Sequence, residues 1–537
     1  MDTILYNGVI HTMAGGRIVS ALAVQKGRIA LAGSDEAALA LKTADTVCID
    51  LGGRCVVPGF TDTHCHVLLG EAESHRLDLR GVTSPEELIQ RGRDFIAAHP
   101  PAEGEWIEGY GYDHSLFPEP VLPDGRVAEA ISSEYPVLLD RVCGHVGAAN
   151  RLALRLAGFD ETSVFRGGSL DKDENGALTG VIRESALDAI KKVPPPIRQE
   201  KAQEYLESAG RSVAALGITA VHSDDLCPGS ISWPELKAIF DDMEARDACA
   251  FRLWEEWENP TPEQLRTDLL SQPLRSFAGS DWLKVGNVKL IGDGSLGSRT
   301  AFLRADYEGE PGNRGIAVYT QEELDELVAL CHENDLQVAC HEIGDGGCEQ
   351  FVNAVEKAMA KEPKPLCHRV VHCQFGDRAL YRRMGALGMG ADIQPAFVPS
   401  DAPVVFDYVG EARAVQAYAW KTLMAEGVLC GGGSDYPVET ISPIYGIHCA
   451  VNRPRAHTDD APFCPEECLT VEEAVALYTV NAAKLVRADG DCGTLETGKW
   501  ADLAVLDRDI FTVEPLTIRD TSVVLTMAGG RVTHSAL

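Results

Sequence analysis

The sequence predicts an α/β protein: a (β/α)8 TIM barrel with a small β-sandwich domain formed by both termini and an inserted α/β subdomain after the first barrel strand. Three observations predict this fold. Eight short β-like runs alternate with helical stretches along the middle of the chain, which favours parallel strands joined by crossover helices. Both ends of the chain carry short apolar runs separated by turns, and a long segment of mixed character follows the first β-like run.

The barrel prediction depends on eight segments with the character of strands. They are residues 55–62, 218–224, 250–256, 285–293, 336–342, 368–374, 388–394 and 428–435. Eight parallel strands with helices outside close into a barrel, and enzymes of this fold carry their chemistry at the carboxyl ends of the strands. We therefore predict a barrel domain over residues 56–484, with the functional site at those strand ends.

The segments outside the barrel predict two further structures. Residues 1–55 and 485–537 have the pattern of short antiparallel strands, and together they are predicted to complete one composite β-sandwich domain. The stretch between the first two candidate strands is far longer than one crossover helix needs, so we predict an inserted subdomain at about 70–212. This insertion either shapes a substrate pocket over the barrel mouth or embellishes the outside of the fold.

Composition limits the classes of partner. The 537 residues include 48 Lys+Arg and 81 Asp+Glu, a formal net charge of −33, which argues against nucleic acid and against anionic membrane surfaces. No apolar run is long enough to predict a membrane span, and the first residues lack the pattern of a secretory signal. The sixteen cysteines show no paired zinc-binding spacing and are expected to be reduced thiols of a cytoplasmic protein with a small-molecule substrate.

Polar side chains with metal-binding chemistry fall at the predicted strand ends. They are His64, His66, Lys289, His341, His372 and Asp435. On an extended chain, the side chains of residues two apart lie on the same side, so the two histidines of TDTHCH can bind one ion. Imidazole nitrogens and a carboxylate suit Zn²⁺ well, and Fe, Mn or Co less specifically. Each residue alone also has an ordinary structural explanation, and the prediction depends on their joint placement at successive strand ends.

Lys289 needs a chemical change before it can join a metal site. An ammonium group repels a cation and has no lone pair to offer it. A carbamate formed with CO₂ would turn the side chain into an anion long enough to bridge two ions. The structural alternative is an ion pair between Lys289 and an acid of the site such as Asp293.

The motifs resemble those of the metal-dependent amidohydrolase superfamily. They are PGFTDTHCH, VKLIGDGSLGSRTA, VACHEIGDGG, RVVHCQ and GSDYPVE, followed by NAAKLVRADGDCGTLETGKWADLAVLD. The sequence is most similar to the YtcJ-like, or amidohydrolase-3, branch, which includes N-substituted formamide deformylases. The resemblance extends over essentially the whole chain. HEIGDGG departs from the HAIGDRA that relatives often show, and HCQF departs from HAQ, without removing a ligand.

The resemblance implies a role for each of the six residues. His64, His66 and Asp435 would bind the more buried ion, His341 and His372 the more exposed one, and carbamylated Lys289 would bridge them. Whether one ion or two is bound stays open. Related barrels often dimerise, so a homodimer is compatible with the resemblance.

The implied reaction is hydrolysis of a C–N bond in an amide, formamide or cyclic amide by metal-activated hydroxide. Asp435 would be the proton shuttle between this hydroxide and the leaving amine. Two further residues occupy positions where relatives show the same types. His145 in CGHVGAAN would donate a hydrogen bond to the developing oxyanion, and Arg299 in GSRTA would bind a substrate carboxylate or form a structural salt bridge.

Two other functions remain as alternatives. A heterocyclic-base deaminase of the mononuclear aminohydrolase type would have one metal ion and no carbamate, and Lys289 argues against it. A catalytically inactive barrel that only binds a ligand should have lost at least one metal-binding residue, and all six are present in the sequence.

Overall fold

Eight parallel strands form the largest sheet in the computed structural model, which describes residues 1–102, 104–143, 145–165, 168–227, 230–272, 274–455 and 462–537. The strands are β1 (Phe60–Cys65), β2 (Ile218–Leu226), β3 (Arg252–Glu258), β4 (Leu283–Ile291), β5 (Val338–Glu342), β6 (Arg369–His372), β7 (Gly390–Ile393) and β8 (Leu429–Gly432). Each strand pairs in parallel with the next along the chain. This arrangement confirms the predicted TIM-like barrel.

The first and last strands of this sheet meet at His64. The backbone N–H of Asp435 donates to the carbonyl of His64 at 2.8 Å, and that of Ser434 donates to the carboxylate of Asp62 at 3.1 Å. Gly433 allows this close approach, because a Cβ there would lie 2.8 Å from the backbone nitrogen of His64. The run of glycines at the end of β8 therefore brings Asp435 beside the histidines of β1.

The predicted first strand, 55–62, is wrong in its bounds. Cys55–Pro58 is a strand of a different sheet, and the barrel strand β1 begins only at Phe60 and extends to Cys65. Gly59 separates the two, and a Cβ at this position would lie 2.2 Å from the Thr219 hydroxyl. The sequence shows one continuous apolar run here because both strands are buried, so local pattern does not reveal the boundary.

Helices follow most of the barrel strands. Two helices, Val67–Ser74 and Gln199–Ala215, cross the ends of a second compact unit described below. The helices in the unit that contains the barrel are Asp35–Leu39, Trp233–Ala245, Pro262–Gln264, Gln321–Glu333, Asp345–Lys361, Arg378–Ala386, Phe397–Val409, Glu411–Ala414, Trp420–Ala425, Pro443–Asn452, Val471–Leu477 and Val480–Leu485; Leu265–Leu270 is π-helical, and Pro465–Glu467 and Pro515–Asp520 are 3₁₀ turns. Helix Gln321–Glu333 shows why they form: Thr320 and Glu323 make a capping box, and Leu324, Leu327, Val328 and Cys331 bury one face. Among the described residues, no helix combines the length and the hydrophobicity of a transmembrane span.

Strands from both ends of the chain form two smaller sheets. The four-stranded sheet contains, in spatial order, Arg28–Gly33, Ala21–Gln25, Thr3–Tyr6 and Val47–Asp50; the six-stranded sheet contains Arg531–Ser535, Val523–Ala528, Leu503–Leu506, Cys55–Pro58, Val9–His11 and Ile18–Val19. Side chains of both sheets share one apolar core that includes Leu5, Leu22, Val56 and Val505. Burial of this shared core holds strands from opposite ends of the sequence together. The domain bounds 1–55 with 485–537 and 56–484 stay predictions.

A second compact unit comprises Gly70–Ala202 and Gly229–Ile231. Its mixed six-stranded sheet contains, in spatial order, Gly168–Lys172, Leu178–Glu184, Val146–Ala149, Val137–Arg141, Ile107–Tyr112 and Leu77–Asp78. Its helices are Pro85–Ala98, Gly125–Ile131, Arg151–Leu156 and Ser185–Ile190, with a 3₁₀ turn at His114–Leu116. The neighbouring residues Leu138 and Leu139 belong to two separate apolar clusters, so both faces of this sheet are buried within the unit.

Candidate metal centre

The carboxyl ends of five barrel strands carry the six predicted metal-binding residues. His64 lies near the end of β1 and His66 directly after it, Lys289 lies in the last third of β4, and His341 lies near the end of β5. His372 is the last residue of β6, and Asp435 follows β8 by three residues. Because the strands are parallel, all six lie toward the same end of the barrel.

Short distances join these side chains. One carboxylate oxygen of Asp435, Oδ1, lies 3.3 Å from Nε2 of His64 and 3.4 Å from Nε2 of His66. The Nζ atom of Lys289 is 3.3 Å from the same Nε2 of His64. The ring of His372 lies 5.9 Å from that of His64 and 4.4 Å from that of His341, measured between centroids. The structure therefore brings all six residues, distant in sequence, into one cluster.

The backbone is strained where two of these residues sit. His372 has a φ of +74° and Asp435 has a φ of +59°. Both values lie in the left-handed region, which residues other than glycine rarely adopt. Such a conformation costs about 1–3 kcal/mol and persists only where the surrounding structure enforces it. In both cases the turn occurs at the end of a barrel strand, next to the other polar side chains of the cluster.

Each of the four histidines uses its Nδ1 atom for a contact within the protein. These contacts join Nδ1 of His64 to Glu256 Oε2 (3.2 Å), His66 to the Asp224 carbonyl (2.7 Å), His341 to Asp293 Oδ1 (3.1 Å) and His372 to Gln394 Oε1 (2.9 Å). All four partners are oxygen acceptors, so Nδ1 carries a proton, and Nε2 is the nitrogen that a metal ion would bind once it is unprotonated. Metal-binding histidines are held in this way by a second layer of acceptors.

Lys289 is buried and forms an ion pair. Its ammonium lies 3.1 Å from Oδ2 of Asp224, which is also buried. Burial lowers the pKa of Lys289, but the carboxylates of Asp224, Glu256 and Asp435 outweigh it and raise that pKa above its usual value. The ion pair with an acid of the site that the sequence left as an alternative is therefore present, but with Asp224 in place of Asp293. The carboxylate of Asp293 instead accepts from His341 and from the backbone N–H groups of Ile343 and Gly344.

The charges in the cluster shift the pKa values of its members in opposite directions. Burial raises the pKa of Asp435, but its contacts with His64 and His66 outweigh burial and hold this pKa well below its usual range. Burial and the Lys289 ammonium lower the pKa of His64, yet contacts with Asp435 and Glu256 raise it to about 9. Burial and the nearby His341 lower the pKa of His372 well below its usual value. Without a metal ion, a proton on His64 therefore supplies positive charge to the cluster.

Arg299 makes contacts of its own outside this cluster. Its guanidinium pairs with the carboxylate of Glu310 and lies over the ring of Tyr408, with 4.2 Å between the guanidinium carbon and the ring centroid. This pair is the structural salt bridge that the sequence left as an alternative. Binding of a substrate carboxylate by Arg299 stays a prediction.

His145 lies in the second compact unit, on the exposed turn before strand Val146–Ala149. Its Nδ1 is 3.0 Å from Oε2 of Glu184, and both side chains are more than half exposed. The carboxylate orients the imidazole within that unit. A role for His145 in binding the oxyanion stays a prediction.

Similarity to known proteins points to the same chemistry. A sequence profile of the amidohydrolase family matches residues 47–534. The chain is 34% identical to the putative amidohydrolase YtcJ of Bacillus subtilis (strain 168), over 99% of this chain and 99% of that protein. This chain belongs to the amidohydrolase family. The family predicted from the motifs is thereby confirmed.

Two further relatives of this amidohydrolase are named for a metal dependence or for a reaction. A crystal structure of an uncharacterized metal-dependent hydrolase from Pyrococcus furiosus is similar with a TM-score of 0.79 and 31% identity, covering 96% of this chain and 99% of that one. An N-substituted formamide deformylase of Arthrobacter pascens is 24% identical, over 98% of this chain and 97% of that protein. The comparisons confirm that this amidohydrolase is a hydrolase of a metal-dependent family.

The side chains of this amidohydrolase fit the divalent ion that its family implies. In the part of the chain that the structure describes, the donor atoms of His64, His372 and Asp435 lie within 4.8 Å of one another. One carboxylate oxygen of Asp224 is buried and makes no hydrogen bond among the described residues. An ion bound among these groups would take the lone pairs that the Nδ1 contacts leave on the Nε2 atoms.

A layer of buried charges beneath the histidines was missed by the sequence analysis. Glu256 accepts from His64, from Asn287 at 2.8 Å and from Arg369 at 2.8 Å, and Arg369 also donates to Asp392 at 3.0 Å. All these side chains are buried. Polar residues inside otherwise apolar strands, as in FRLWEEWE and HRVVHCQ, are the signal that marks them. Their partners could not be assigned, because each contact joins different strands.

Proposed function

We propose that this amidohydrolase cleaves a C–N bond of an amide, formamide or cyclic amide, using a divalent metal bound at the barrel cluster. The ligands would be His64, His66, His341, His372 and Asp435. The observation that carries the proposal is the shared use of Nδ1: four histidines bind protein acceptors through Nδ1, and each keeps Nε2 available as a ligand. A set of nitrogen donors with one carboxylate favours Zn²⁺, with Fe, Mn or Co less specific.

The metal would supply one kind of chemistry. When bound, a divalent ion lowers the pKa of water and polarises the carbonyl of the substrate. If two ions bind, we propose that Lys289 carries a carbamate, which would convert a buried cation into an anionic ligand. The ion pair of Lys289 with Asp224 supports its position beside the cluster, since this pair holds Nζ within 3.3 Å of Nε2 of His64.

Asp435 is proposed as the proton shuttle. Its low pKa keeps the carboxylate ionised, so it can accept the proton of the attacking water. Its contacts with two imidazoles hold the accepting oxygen in one position at the strand end. The same carboxyl group would then return the proton to the nitrogen of the leaving amine.

Two residues are proposed to act on the substrate. Arg299 would bind a carboxylate of the substrate by exchanging it for Glu310, its present partner. His145 would donate to the developing oxyanion, with Glu184 holding its other nitrogen. Both assignments depend on the resemblance of GSRTA and CGHVGAAN to the family motifs.

The proposed partners follow from composition and family. The substrate is proposed to be a small molecule, and the strongly acidic chain argues against nucleic acid and anionic membranes. We further propose a cytoplasmic location and a homodimer. The formamide deformylase among the relatives supports N-formyl amines as the first substrates to test.

An activity screen with zinc-loaded protein tests the reaction. The screen includes N-formyl amines, N-acyl amino acids, cyclic ureides and heterocyclic bases, and metal content is measured with and without bicarbonate during loading. We expect release of an amine from an amide-type substrate, and higher metal content after bicarbonate if Lys289 is carbamylated. Ammonia release from a heterocyclic base, by protein with one metal equivalent, would contradict the proposal.

Replacement of Asp435 tests the proton shuttle. Asp435→Asn keeps the size of the side chain and removes its basic oxygen, so kcat should fall by about 10²- to 10⁴-fold. Circular dichroism should show an unchanged fold. Asp241→Asn, an exposed substitution on helix Trp233–Ala245, is the matched control and should retain activity. Near-normal kcat in Asp435→Asn would show that another group moves the proton.

A further inference from the structure

A second group of side chains with metal-binding donor atoms lies away from the barrel cluster. It is on the six-stranded sheet that contains strands from both ends of the chain. His11 ends strand Val9–His11, Cys55 begins strand Cys55–Pro58, and Asp509 follows strand Leu503–Leu506. Each offers one donor atom, and the three atoms lie within 4.8 Å of one another. A nitrogen, a sulfur and a carboxylate oxygen are the donor types of protein zinc sites.

The sheet register explains why these residues meet. Val9 pairs with Cys55 in parallel, and Leu506 pairs with Cys55 in antiparallel fashion. Residues opposite one another in a sheet point to the same face, and so do residues two apart along a strand. His11 and Cys55 are therefore on one face, opposite the face on which Ile10 and Val56 enter the shared core.

Among the described residues, one nitrogen of this group makes no hydrogen bond. Nε2 of His11 is 3.2 Å from Oδ1 of Asp509, yet this buried nitrogen makes no hydrogen bond within the described ranges. Oδ1 of Asp509 already accepts from the N–H of Phe511 at 3.1 Å. The ring of Phe511 stacks on that of His11 with 4.0 Å between centroids, which holds the imidazole in place. Nε2 of His11 and Oδ1 of Asp509 therefore lie close enough together for one ion to bind both.

We propose that His11, Cys55 and Asp509 form a structural zinc site that joins the N-terminal and C-terminal strands of this sheet. Zn²⁺ bonds to nitrogen, sulfur and oxygen ligands at about 2.0–2.3 Å, so the donors would settle about 3.5 Å apart after a small movement. The Cys55 thiol releases its proton to solvent as the sulfur–zinc bond forms. Water fills the fourth position, since Cys55 is fully buried while the side chains of His11 and Asp509 are 13% and 22% exposed.

Cobalt substitution distinguishes this site from the barrel cluster. Co²⁺ bound to a thiolate gives a charge-transfer absorption in the near ultraviolet, and no cysteine is among the proposed ligands of the barrel. We expect this band in cobalt-loaded wild-type protein, and we expect Cys55→Ser to abolish it and lower the zinc content by one equivalent. Asp435→Asn should keep the band, because Asp435 belongs only to the barrel cluster.

Matched variants separate the metal site from general damage to the fold. Cys48→Ser, in strand Val47–Asp50 of the four-stranded sheet, removes a partly buried thiol outside the group and should keep both the band and the zinc content. Asp509→Asn and His11→Gln should each weaken zinc binding by at least tenfold in competition with a chelator, even if Cys55→Ser fails to fold. A wild-type protein without the band, or a folded Cys55→Ser protein with unchanged zinc content, would overturn the site and leave the three residues as an ordinary hydrogen-bonded cluster. Neither result depends on whether the enzyme hydrolyses amides.

Discussion

At the scale of single residues, the main feature of the barrel cluster is the acceptor behind each histidine. Glu256, Asp293 and Gln394 and the carbonyl of Asp224 bind the Nδ1 atoms and so select which nitrogen faces the cluster. The amide of Gln394 is itself oriented, since its Nε2 donates to the carbonyl of Asp392 at 3.0 Å. Metal affinity should therefore depend on residues that never touch the ion.

Glu256 provides a test of this dependence. Glu256→Gln weakens the acceptor of His64 and should reduce metal affinity by about 10- to 100-fold, measured by competition with a chelator. Asp392→Asn is the control, because Asp392 also pairs with the buried Arg369, whereas the hydrogen bond to Nδ1 of His64 comes from Glu256. Equal losses of affinity in both variants would show that the effect comes from Arg369 and not from orientation of the imidazole.

His64 predicts how the metal-free protein responds to pH. Its pKa rises from 6.5 to about 9 on folding, so its proton stabilises the folded state fully below pH 6.5, and this stabilisation is lost as the pH rises through 9. A shift of this size corresponds to about 3 kcal/mol. Urea unfolding in the presence of a chelator should show the free energy of unfolding of wild type approaching that of His64→Asn between pH 6.5 and 9. A constant difference across this range would contradict the predicted protonation.

At the scale of secondary-structure elements, helix Asp345–Lys361 packs a glycine against a buried carboxyl group on the preceding strand. Glu342 at the end of β5 is buried, and burial together with the charge of Asp293 raises its pKa well above the usual value. A Cβ on Gly347 would lie 2.0 Å from Oε2 of Glu342, so a larger residue here requires that carboxyl group to move. The sequence HEIGDGG departs from the HAIGDRA that it resembles at positions 342, 346 and 347, and this contact joins the first and the last of them.

A double-mutant cycle tests this coupling. Gly347→Ala alone should destabilise the protein by about 1–3 kcal/mol, because the added methyl group overpacks the contact with Glu342. In the Glu342→Ala background the same change should stabilise it by up to about 1 kcal/mol, the helix-propensity advantage of alanine over glycine. The free energies of unfolding measure the cycle. An effect of the same sign in both backgrounds would mean that Glu342 moves aside.

At the scale of the whole molecule, one buried ion pair ties the barrel to the terminal strands. Arg252 of β3 donates from Nε and Nη2 to the carboxylate of Asp502 at 2.7 and 3.1 Å, and its guanidinium lies 3.6 Å from the ring centroid of Trp500. The N–H of Gly529 donates to the same carboxylate at 2.6 Å. The attachment of segments about 250 residues apart in sequence thus depends on one buried carboxylate.

Asp502→Asn should be costly for this reason. It leaves the buried guanidinium of Arg252 without its counter-ion, which is expected to reduce the free energy of unfolding by about 3–5 kcal/mol. Asp491→Asn removes a half-exposed partner of Arg28 and should cost less than about 1 kcal/mol. Urea unfolding of the two variants gives the comparison. Similar small losses in both would show that Asp502 is not essential for attachment of the terminal strands.

The barrel and its family could be predicted from sequence because their signals are local. Alternation of β-like and helical runs and the two-residue spacing of His64 and His66 report backbone conformation and side-chain direction directly. Position at a strand end, which the sequence also shows, was enough to select the six residues that the structure brings together.

Contacts between strands could be identified only in the folded structure. Glu256 meets His64 across 192 residues and Asp224 meets Lys289 across 65, and nothing in the local pattern of either segment identifies the partner. The division of the first strand at Gly59 is of the same kind, because both halves are apolar and only packing assigns them to different sheets. Local sequence pattern thus specifies the kinds of element and the chemistry at their ends. Register and barrel closure specify which charges face each other, since these depend on packing between distant segments.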